Sequence, residues 1–192
     1  MRLSRFHESE SFIEKSLSAD RLAQIDLPGR RQKCSRVPNE DSTGNSCISR
    51  TVFLVSCVAT KGSSECAARD LYRSVWFKKA RNHVESTGCK WFILSAKYGL
   101  VHPDQFIEPY DQTLNTMSVE ARRDWANRVI EQIDANLPPA GNFILLAGAR
   151  YRDHLQPLLE HSGAKVTVPM LGLTQGRQLH WFDTHRPRVE TE

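Results

Sequence analysis

Residues 51–58 read TVFLVSCV. This run is mostly apolar and rich in β-branched side chains, which predicts a strand that is buried on both faces. The segment that follows, residues 67–85, carries apolar side chains at helical spacing and predicts an amphipathic helix. A buried strand followed by such a helix is the first half of a βαβ unit, since parallel strands require a crossover connection.

The same alternation continues along the chain. Three further apolar runs predict strands, namely WFILSA at 91–96, NFILLA at 142–147 and KVTV at 165–168. One helix is predicted to begin after Ser118, a favourable N-cap, and another spans residues 151–161, where Pro157 is expected to produce a kink. The predicted fold class is therefore α/β, with a mainly parallel central sheet of about four strands and helices on both faces.

The first fifty residues differ from the rest of the chain. We interpret residues 1–50 as an N-terminal helical arm and linker, and residues 51–192 as the α/β catalytic domain. A short amphipathic helix is predicted at 12–27, before a polar segment that has no helical or strand period. Arg30 and Arg31 begin that polar segment, which is either a solvated extension or a contact to DNA phosphates.

Charge and composition limit the partners and cofactors. The 192 residues include 26 basic and 22 acidic side chains, a net charge of +4, which permits a polyanionic partner without requiring one. No apolar run is long enough to cross a bilayer, so we expect a cytoplasmic protein with no membrane partner. The five cysteines form no CxxC pair, and no compact metal signature is present. We therefore expect no metal and no cofactor.

Polar segments follow the predicted strands. In open α/β sheets, ligands bind beyond the carboxyl ends of the strands, so these segments are the first candidates for a site. After the first strand, Ser56, Lys61 and Ser63 belong to a small polar loop that can present N–H groups and a lysine to an anion. The loop lacks the residue order of a P-loop or a dinucleotide fingerprint, and an ordinary connection is the alternative.

The segment after the second strand, SAKYGLVHPDQFIEPYDQTL at 95–114, is the most unusual in the chain. It concentrates titratable and aromatic side chains on a backbone stiffened by proline: Tyr98, Asp104, Glu108, Tyr110 and Asp111. Loops this long inside compact domains are usually functional. Alternatively, the two tyrosines plug the end of the sheet and the acids are solvated.

The segments after the third and fourth strands add cations and an amide. Arg150 lies at a predicted helix start, where it could contact a phosphate. Gln175 and Arg177 lie in a segment where Gly172 and Gly176 permit close approach of a ligand to the backbone, and Gln175 could contact a base edge. Carboxylates, aromatic rings, amides and cations together fit a nucleobase better than a sugar alone.

Several of these segments resemble a known family. SAKYGL at 95–100, PD at 103–104 and IEPYD at 107–111 are similar to the signature of small bacterial and phage domains related to the peroxide-stress protein YaaA. AARDLYRSVWFKKAR at 67–81, LLAGARYRDHL at 145–155 and GLTQGRQLHWF at 172–182 extend the resemblance over residues 51–182. YaaA itself has arginine where this chain has Asp111, which weakens any transfer of a DNA-protective role.

The group is similar in organisation to uracil-DNA-glycosylase-like α/β domains, and an anti-phage DNA glycosylase that acts on α-glucosyl-hydroxymethylcytosine is of about this kind. The resemblance implies an enzyme that flips a modified base out of double-stranded DNA and excises it, leaving an abasic site. Two alternatives stay open: a non-catalytic DNA-binding stress protein of YaaA type, and an N-glycosidase acting on free nucleosides or nucleotides. The sequence does not decide the oligomeric state.

For a glycosylase, each candidate residue has an expected role. Asp104 is the first candidate for the catalytic acid, ahead of Asp111 and Glu108, because a carboxylate can stabilise positive charge on the sugar. The remaining candidates are grouped by the part of the DNA that they would contact: Tyr98, Tyr110, Gln175 and Ser56 for the base, and Lys61, Ser63, Arg150, Arg177, Arg30 and Arg31 for phosphates. No lysine is obviously placed to form a Schiff base, which favours hydrolysis over a lyase reaction.

Overall fold

The computed structural model describes residues 50–57 and 60–185. The strands of this part of the chain are β1 (Thr51–Ser56), β2 (Cys66–Ala67), β3 (Lys90–Ser95), β4 (Gly99–Val101), β5 (Phe106–Ile107), β6 (Asn142–Leu146) and β7 (Lys165–Thr167). The helices are α1 (Ala68–Leu71), α2 (Val75–Ser86), α3 (Val119–Asn136), α4 (Ala149–His161) and α5 (Gln175–Thr184).

The central sheet has five strands in the order β4-β3-β1-β6-β7. β1 lies at its centre and runs parallel to β3 and β6, and β6 runs parallel to β7. The prediction of a mainly parallel sheet is confirmed. The fifth strand, β4, was not predicted; it returns antiparallel to β3 after a tight turn, and its first residue, Gly99, has a φ of 77°. β2 and β5 form a separate two-stranded sheet.

The core lies on both faces of this sheet because alternate residues of each strand point in opposite directions. On one face, Phe53 and Val55 of β1 pack with residues of α1, α2 and α5. On the other, Val52 and Leu54 pack with residues of α3 and α4. The near-continuous apolar run that predicts β1 is thus explained by helices on both faces, as expected.

The helices differ from prediction in two places. The single helix predicted over 67–85 is interrupted between α1 and α2, and Ser74 caps the second part by accepting a hydrogen bond from the Phe77 N–H. α3 begins after Ser118 as predicted, and the Ser118 hydroxyl accepts from the Ala121 N–H. α4 continues past Pro157, and α5 was not predicted at all. Phe182, which anchors α5, is buried.

Two predictions lie outside this structure. The helix predicted at 12–27, together with Arg30 and Arg31, falls outside the described residues. Within residues 50–57 and 60–185, no helix is both long and apolar enough to cross a bilayer.

Candidate functional site

A cavity of about 980 Å³ opens where β1 and β6 end. Its lining comes from five parts of the chain: the end of β1 with the segment after it, the start of α2, the segment at 111–115, the start of α4 and the start of α5. The side chains and backbone that line it are those of Ser56, Cys57, Thr60, Lys61, Ser74, Trp76, Asp111, Gln112, Thr113, Asn115, Gly148, Ala149, Arg150, Tyr151, Gln175 and Gln178. The cavity therefore lies at the carboxyl ends of two neighbouring parallel strands, as expected for an open α/β sheet.

Five of the residues singled out in the sequence meet in this lining: Ser56, Lys61, Asp111, Arg150 and Gln175. They come from segments that are up to 119 residues apart, from Ser56 to Gln175. Among the described lining residues, Asp111 is the one carboxylate, and the two cations are Lys61 and Arg150. The cavity therefore brings together one described carboxylate, two cationic side chains and several side-chain amides.

Asp104 and Glu108 do not line the cavity. An Arg69 Nη2 lies 2.9 Å from the Asp104 carboxylate, whose side chain is 56% exposed. A backbone hydrogen bond next to Asp104 also fixes this loop, since the Arg69 N–H donates to the Pro103 carbonyl. Glu108 is exposed. The geometry therefore does not support Asp104 as the first candidate for the catalytic acid, because its carboxylate lies outside the cavity lining and pairs with Arg69.

Tyr110 is built into the core beneath the cavity. Its hydroxyl lies 2.9 Å from the Tyr72 hydroxyl and accepts a hydrogen bond from the Ser95 Oγ at 2.7 Å. Burial raises the pKa of Tyr110 and of Tyr72 well above the usual value, so both stay protonated at neutral pH. Tyr98 packs edge-on against the Tyr110 ring at 5.4 Å. Neither ring lines the cavity. Their positions fit the alternative interpretation, in which the two tyrosines fill the end of the sheet.

Tyr110 instead positions Lys61. The Lys61 Nζ lies 4.3 Å from the centroid of the Tyr110 ring, which is a cation–π contact. The loop around this lysine is tied to the main body by its backbone: the Gly62 N–H donates to the Leu71 carbonyl, and the Arg73 N–H donates to the Thr60 carbonyl. The lysine at the cavity wall is therefore held by a ring and two backbone hydrogen bonds, whereas Ser63 of the same loop is exposed and does not line the cavity.

One wall of the cavity pairs a thiol with a phenol. The Cys57 Sγ lies 2.9 Å from the Tyr151 hydroxyl, and the Tyr151 ring packs edge-on against Trp125 at 5.4 Å. Burial raises the pKa of Tyr151, and the neighbouring Cys57 raises it further. Tyr151 is therefore a protonated, fixed aromatic wall with a polar tip.

Trp76 and Gln178 form a second fixed pair that sequence reasoning missed. The Trp76 Nε1 donates to the Gln178 Oε1 at 2.8 Å, and the Gln178 Nε2 donates to the Leu173 carbonyl at 2.9 Å. In the sequence, Trp76 looks like an ordinary core residue of a helix and Gln178 like an ordinary surface residue. No local signal therefore marks either of them as part of a site. A smaller cavity of about 340 Å³ shares this pair in its lining. Arg177, on the same helix as Gln178, is exposed and does not line the main cavity.

No ready-made metal centre is visible in the part of the chain that the structure describes. No three histidine, cysteine, aspartate or glutamate side chains cluster there as ligands. The described cysteines, Cys57, Cys66 and Cys89, are free thiols.

Comparison with known proteins gives one structural neighbour and one family. The neighbour is described as the crystal structure of AF0587, a protein of unknown function; it is 17% identical, with a TM-score of 0.44 over 75% of this chain and 47% of that chain. The chain thus spans about half the length of that neighbour. No curated protein matches. The model of the family of unknown function DUF6884 matches residues 52–184, which cover the central sheet and every part of the cavity lining, and the chain belongs to that family.

Proposed function

We propose that the chain is a DNA glycosylase that extrudes a modified nucleotide from duplex DNA and hydrolyses its N-glycosidic bond. The observation that carries the proposal is the lining of the main cavity, where, among the residues that the structure describes, the carboxylate of Asp111 lies with two cations and several side-chain amides. The cavity, at about 980 Å³, lies at the upper end of the range for small-molecule sites, which leaves room for a whole nucleotide.

Asp111 is the catalytic group in this proposal. Breaking an N-glycosidic bond develops positive charge on the deoxyribose, and a nearby carboxylate stabilises that charge and can orient the attacking water. Asp111 replaces Asp104 in this role because it lines the cavity, whereas the Asp104 carboxylate pairs with Arg69 at the surface.

Amide and aromatic side chains recognise the extruded base. Gln112, Asn115 and Gln175 line the cavity, and side-chain amides can both donate to and accept from the edge of a base. Trp76 and Tyr151 supply the aromatic walls in place of Tyr98 and Tyr110. Extrusion costs a few kcal/mol in lost base stacking, which these contacts offset.

Lys61 and Arg150 bind the backbone on either side of the extruded sugar. Both line the cavity, and the ring of Tyr110 holds the Lys61 ammonium in place. Phosphate contacts of this kind fix the register of a protein on DNA without reading its sequence. The anti-phage role and the glucosylated hydroxymethylcytosine substrate, which the resemblance to YaaA-related domains implies, belong to the same proposal.

The test is an excision assay with a matched pair of variants. The full-length chain is incubated with duplexes that contain modified or unmodified cytosine, and abasic sites are revealed with alkali. Asp111→Asn should lower the rate of excision about 100-fold or more, in the range of a lost acid or base. Glu108→Gln is the control, since it removes a charge three residues away at an exposed position outside the lining.

Other outcomes separate the alternatives. Retarded but intact DNA would indicate a non-catalytic DNA-binding protein, and hydrolysis of free nucleosides alone would indicate a nucleoside N-glycosidase. Full-rate excision by the Asp111→Asn variant would remove the proposed catalytic role from this residue.

A further inference from the structure

We propose that the N-terminus of α4 and the hydroxyl of Ser56 form a phosphate subsite within the main cavity. The inference deepens the proposed function, on which its assignment to a DNA phosphodiester rests. A phosphate on a free nucleotide has the same chemistry, and the experiment below distinguishes the two sources.

The first observation is that α4 begins at the cavity without a side-chain cap. This helix has 13 residues, and its N-cap is Gly148, which offers no side-chain acceptor. The N–H groups of Tyr151 and Arg152 bond to the Gly148 carbonyl, but those of Ala149 and Arg150 precede the first intrahelical bonds. Gly148, Ala149 and Arg150 all line the cavity. α2 and α3 are capped by the serine hydroxyls of Ser74 and Ser118, whereas α5, whose N-cap is Thr174, also begins without a side-chain cap.

The second and independent observation is the side chain of Ser56. Ser56 is only 5% exposed, yet it lines the cavity. Among the described residues, no hydrogen bond to its hydroxyl is found, and this oxygen is not one of the fully enclosed polar atoms that lack a partner, so it stays open to the cavity. A serine side chain that is largely buried yet open to a cavity, without a partner among the described residues, points to a ligand oxygen.

The sheet register brings these two features together. Val55 lies opposite Leu146 in the parallel pairing of β1 with β6. Ser56 is the next residue of β1, and α4 begins three residues after Leu146. The serine hydroxyl and the first amides of α4 therefore lie at the same end of two neighbouring strands.

The charge around this point favours an anion. Lys61 and Arg150 also line the cavity, against the single described carboxylate of Asp111. The N-terminus of a helix carries a partial positive charge and presents N–H groups, which together bind phosphate in many proteins. Two amides, a hydroxyl and two cations make a phosphate oxygen the best match for this corner of the cavity.

The test gives α4 a side-chain cap of its own by replacing its N-cap residue, Gly148, with aspartate. Gly148 has a φ of −69°, and a Cβ added there would meet nothing within 4 Å, so an aspartate fits. In the Gly148→Asp variant, the new carboxylate would accept from the free amides of α4 and repel an added anion. We expect its thermal midpoint to rise by about 1–4 °C, because aspartate is a better N-cap than glycine.

Although Gly148→Asp should raise the thermal midpoint, it should weaken the binding of phosphate. Titration of the full-length chain with inorganic phosphate should show affinity about tenfold or more weaker in Gly148→Asp, the range expected for a lost charge-assisted hydrogen bond. Ser118→Asp is the matched control, since it places the same charge at the N-cap of α3, on an exposed residue outside the lining. It should leave phosphate binding unchanged.

Ser56→Ala provides a second variant that does not depend on the helix. It should also weaken phosphate binding. Because it does not alter the N-terminus of α4, it still tests the subsite if the Gly148→Asp variant fails to fold. Unchanged phosphate affinity in both variants, or no phosphate binding by the parent chain, would overturn the subsite.

Two further ligands identify the source of the phosphate. If Gly148→Asp weakens binding to a duplex with an abasic-site mimic, the subsite holds a DNA phosphodiester. If it weakens binding only to a nucleoside monophosphate, the DNA assignment is overturned. A parent chain that binds phosphate through this site but excises no base would contradict the proposed glycosylase while supporting the subsite.

Discussion

Replacing Tyr110 with phenylalanine tests whether this residue is structural or contacts the ligand. The substitution removes one hydroxyl that lies 2.9 Å from the Tyr72 hydroxyl and 2.7 Å from the Ser95 Oγ. It keeps the ring, over which the Lys61 Nζ lies at 4.3 Å. We therefore expect the variant to lose stability and to retain DNA binding and excision.

The magnitude follows from the buried partners. Tyr72 is 2% exposed and Ser95 is 0% exposed, so water does not readily replace the lost hydroxyl. Each hydrogen bond contributes about 1 kcal/mol, so the free energy of unfolding should fall by about 2 kcal/mol. The Ser95 Oγ still accepts from the Tyr98 N–H, which limits the loss. For a chain of this length, the thermal midpoint should fall by about 4–8 °C.

Tyr98→Phe is the matched control for this measurement. Its ring packs against Tyr110 at 5.4 Å, and no described residue hydrogen-bonds its hydroxyl. Both variants are unfolded in urea at neutral pH and their free energies of unfolding compared. Equal and small losses for the two would refute the buried hydrogen-bond network, and loss of DNA binding in Tyr110→Phe at unchanged stability would restore a ligand-contacting role.

The same network predicts a dependence on alkaline pH. Burial raises the pKa of Tyr110 above its usual value of 10.0, so the unfolded chain loses this proton before the folded chain does. The stabilisation is therefore fully present below pH 10 and is lost as the pH rises above it. In Tyr110→Phe, this part of the decline should disappear.

Three other predictions concern acid stability, salt and the surface. Burial lowers the pKa of His83 from its usual value of 6.5, so the unfolded chain binds the proton first and stability should fall as the pH drops below 6.5. His83→Phe should flatten that decline in unfolding midpoints measured from pH 8 to pH 5, and an unchanged slope would contradict it. Lys61→Met should reduce the slope of log affinity for DNA against log salt by about one, as expected for one lost phosphate contact; an unchanged slope would place Lys61 away from the backbone. Asp104→Asn should lower stability by no more than about 1 kcal/mol, because its pair with Arg69 is exposed, and it should excise at the parent rate. A strong loss of excision in this variant would return the catalytic role to Asp104.

The strands of the sheet could be predicted because burial on both faces leaves an unambiguous pattern. β1, β3 and β6 each carry apolar residues on consecutive positions, which only a covered parallel sheet requires. β4 could not be predicted in the same way, because three residues after a turn carry no period of their own. α5 was missed because its start contains Gly176, which is typical of a loop.

The location of the site followed from topology, whereas the choice among its acids did not. Ser56, Lys61, Arg150 and Gln175 follow strands whose carboxyl ends share one edge, so they converge. Asp104 and Asp111 lie on one loop, seven residues apart, and their separation depends on pairings that leave no local signal. The β2–β5 pairing and the contact with Arg69 fix the first part of the loop, and the buried Tyr110 fixes the second.

The most direct test of the central claim is a structure of the full-length chain bound to a duplex that contains an abasic-site mimic. We expect an extruded sugar in the main cavity, with a carboxylate oxygen of Asp111 about 3–3.5 Å from the anomeric carbon. A sugar bound outside this cavity, or one whose nearest carboxylate belongs to Asp104 or Glu108, would contradict it.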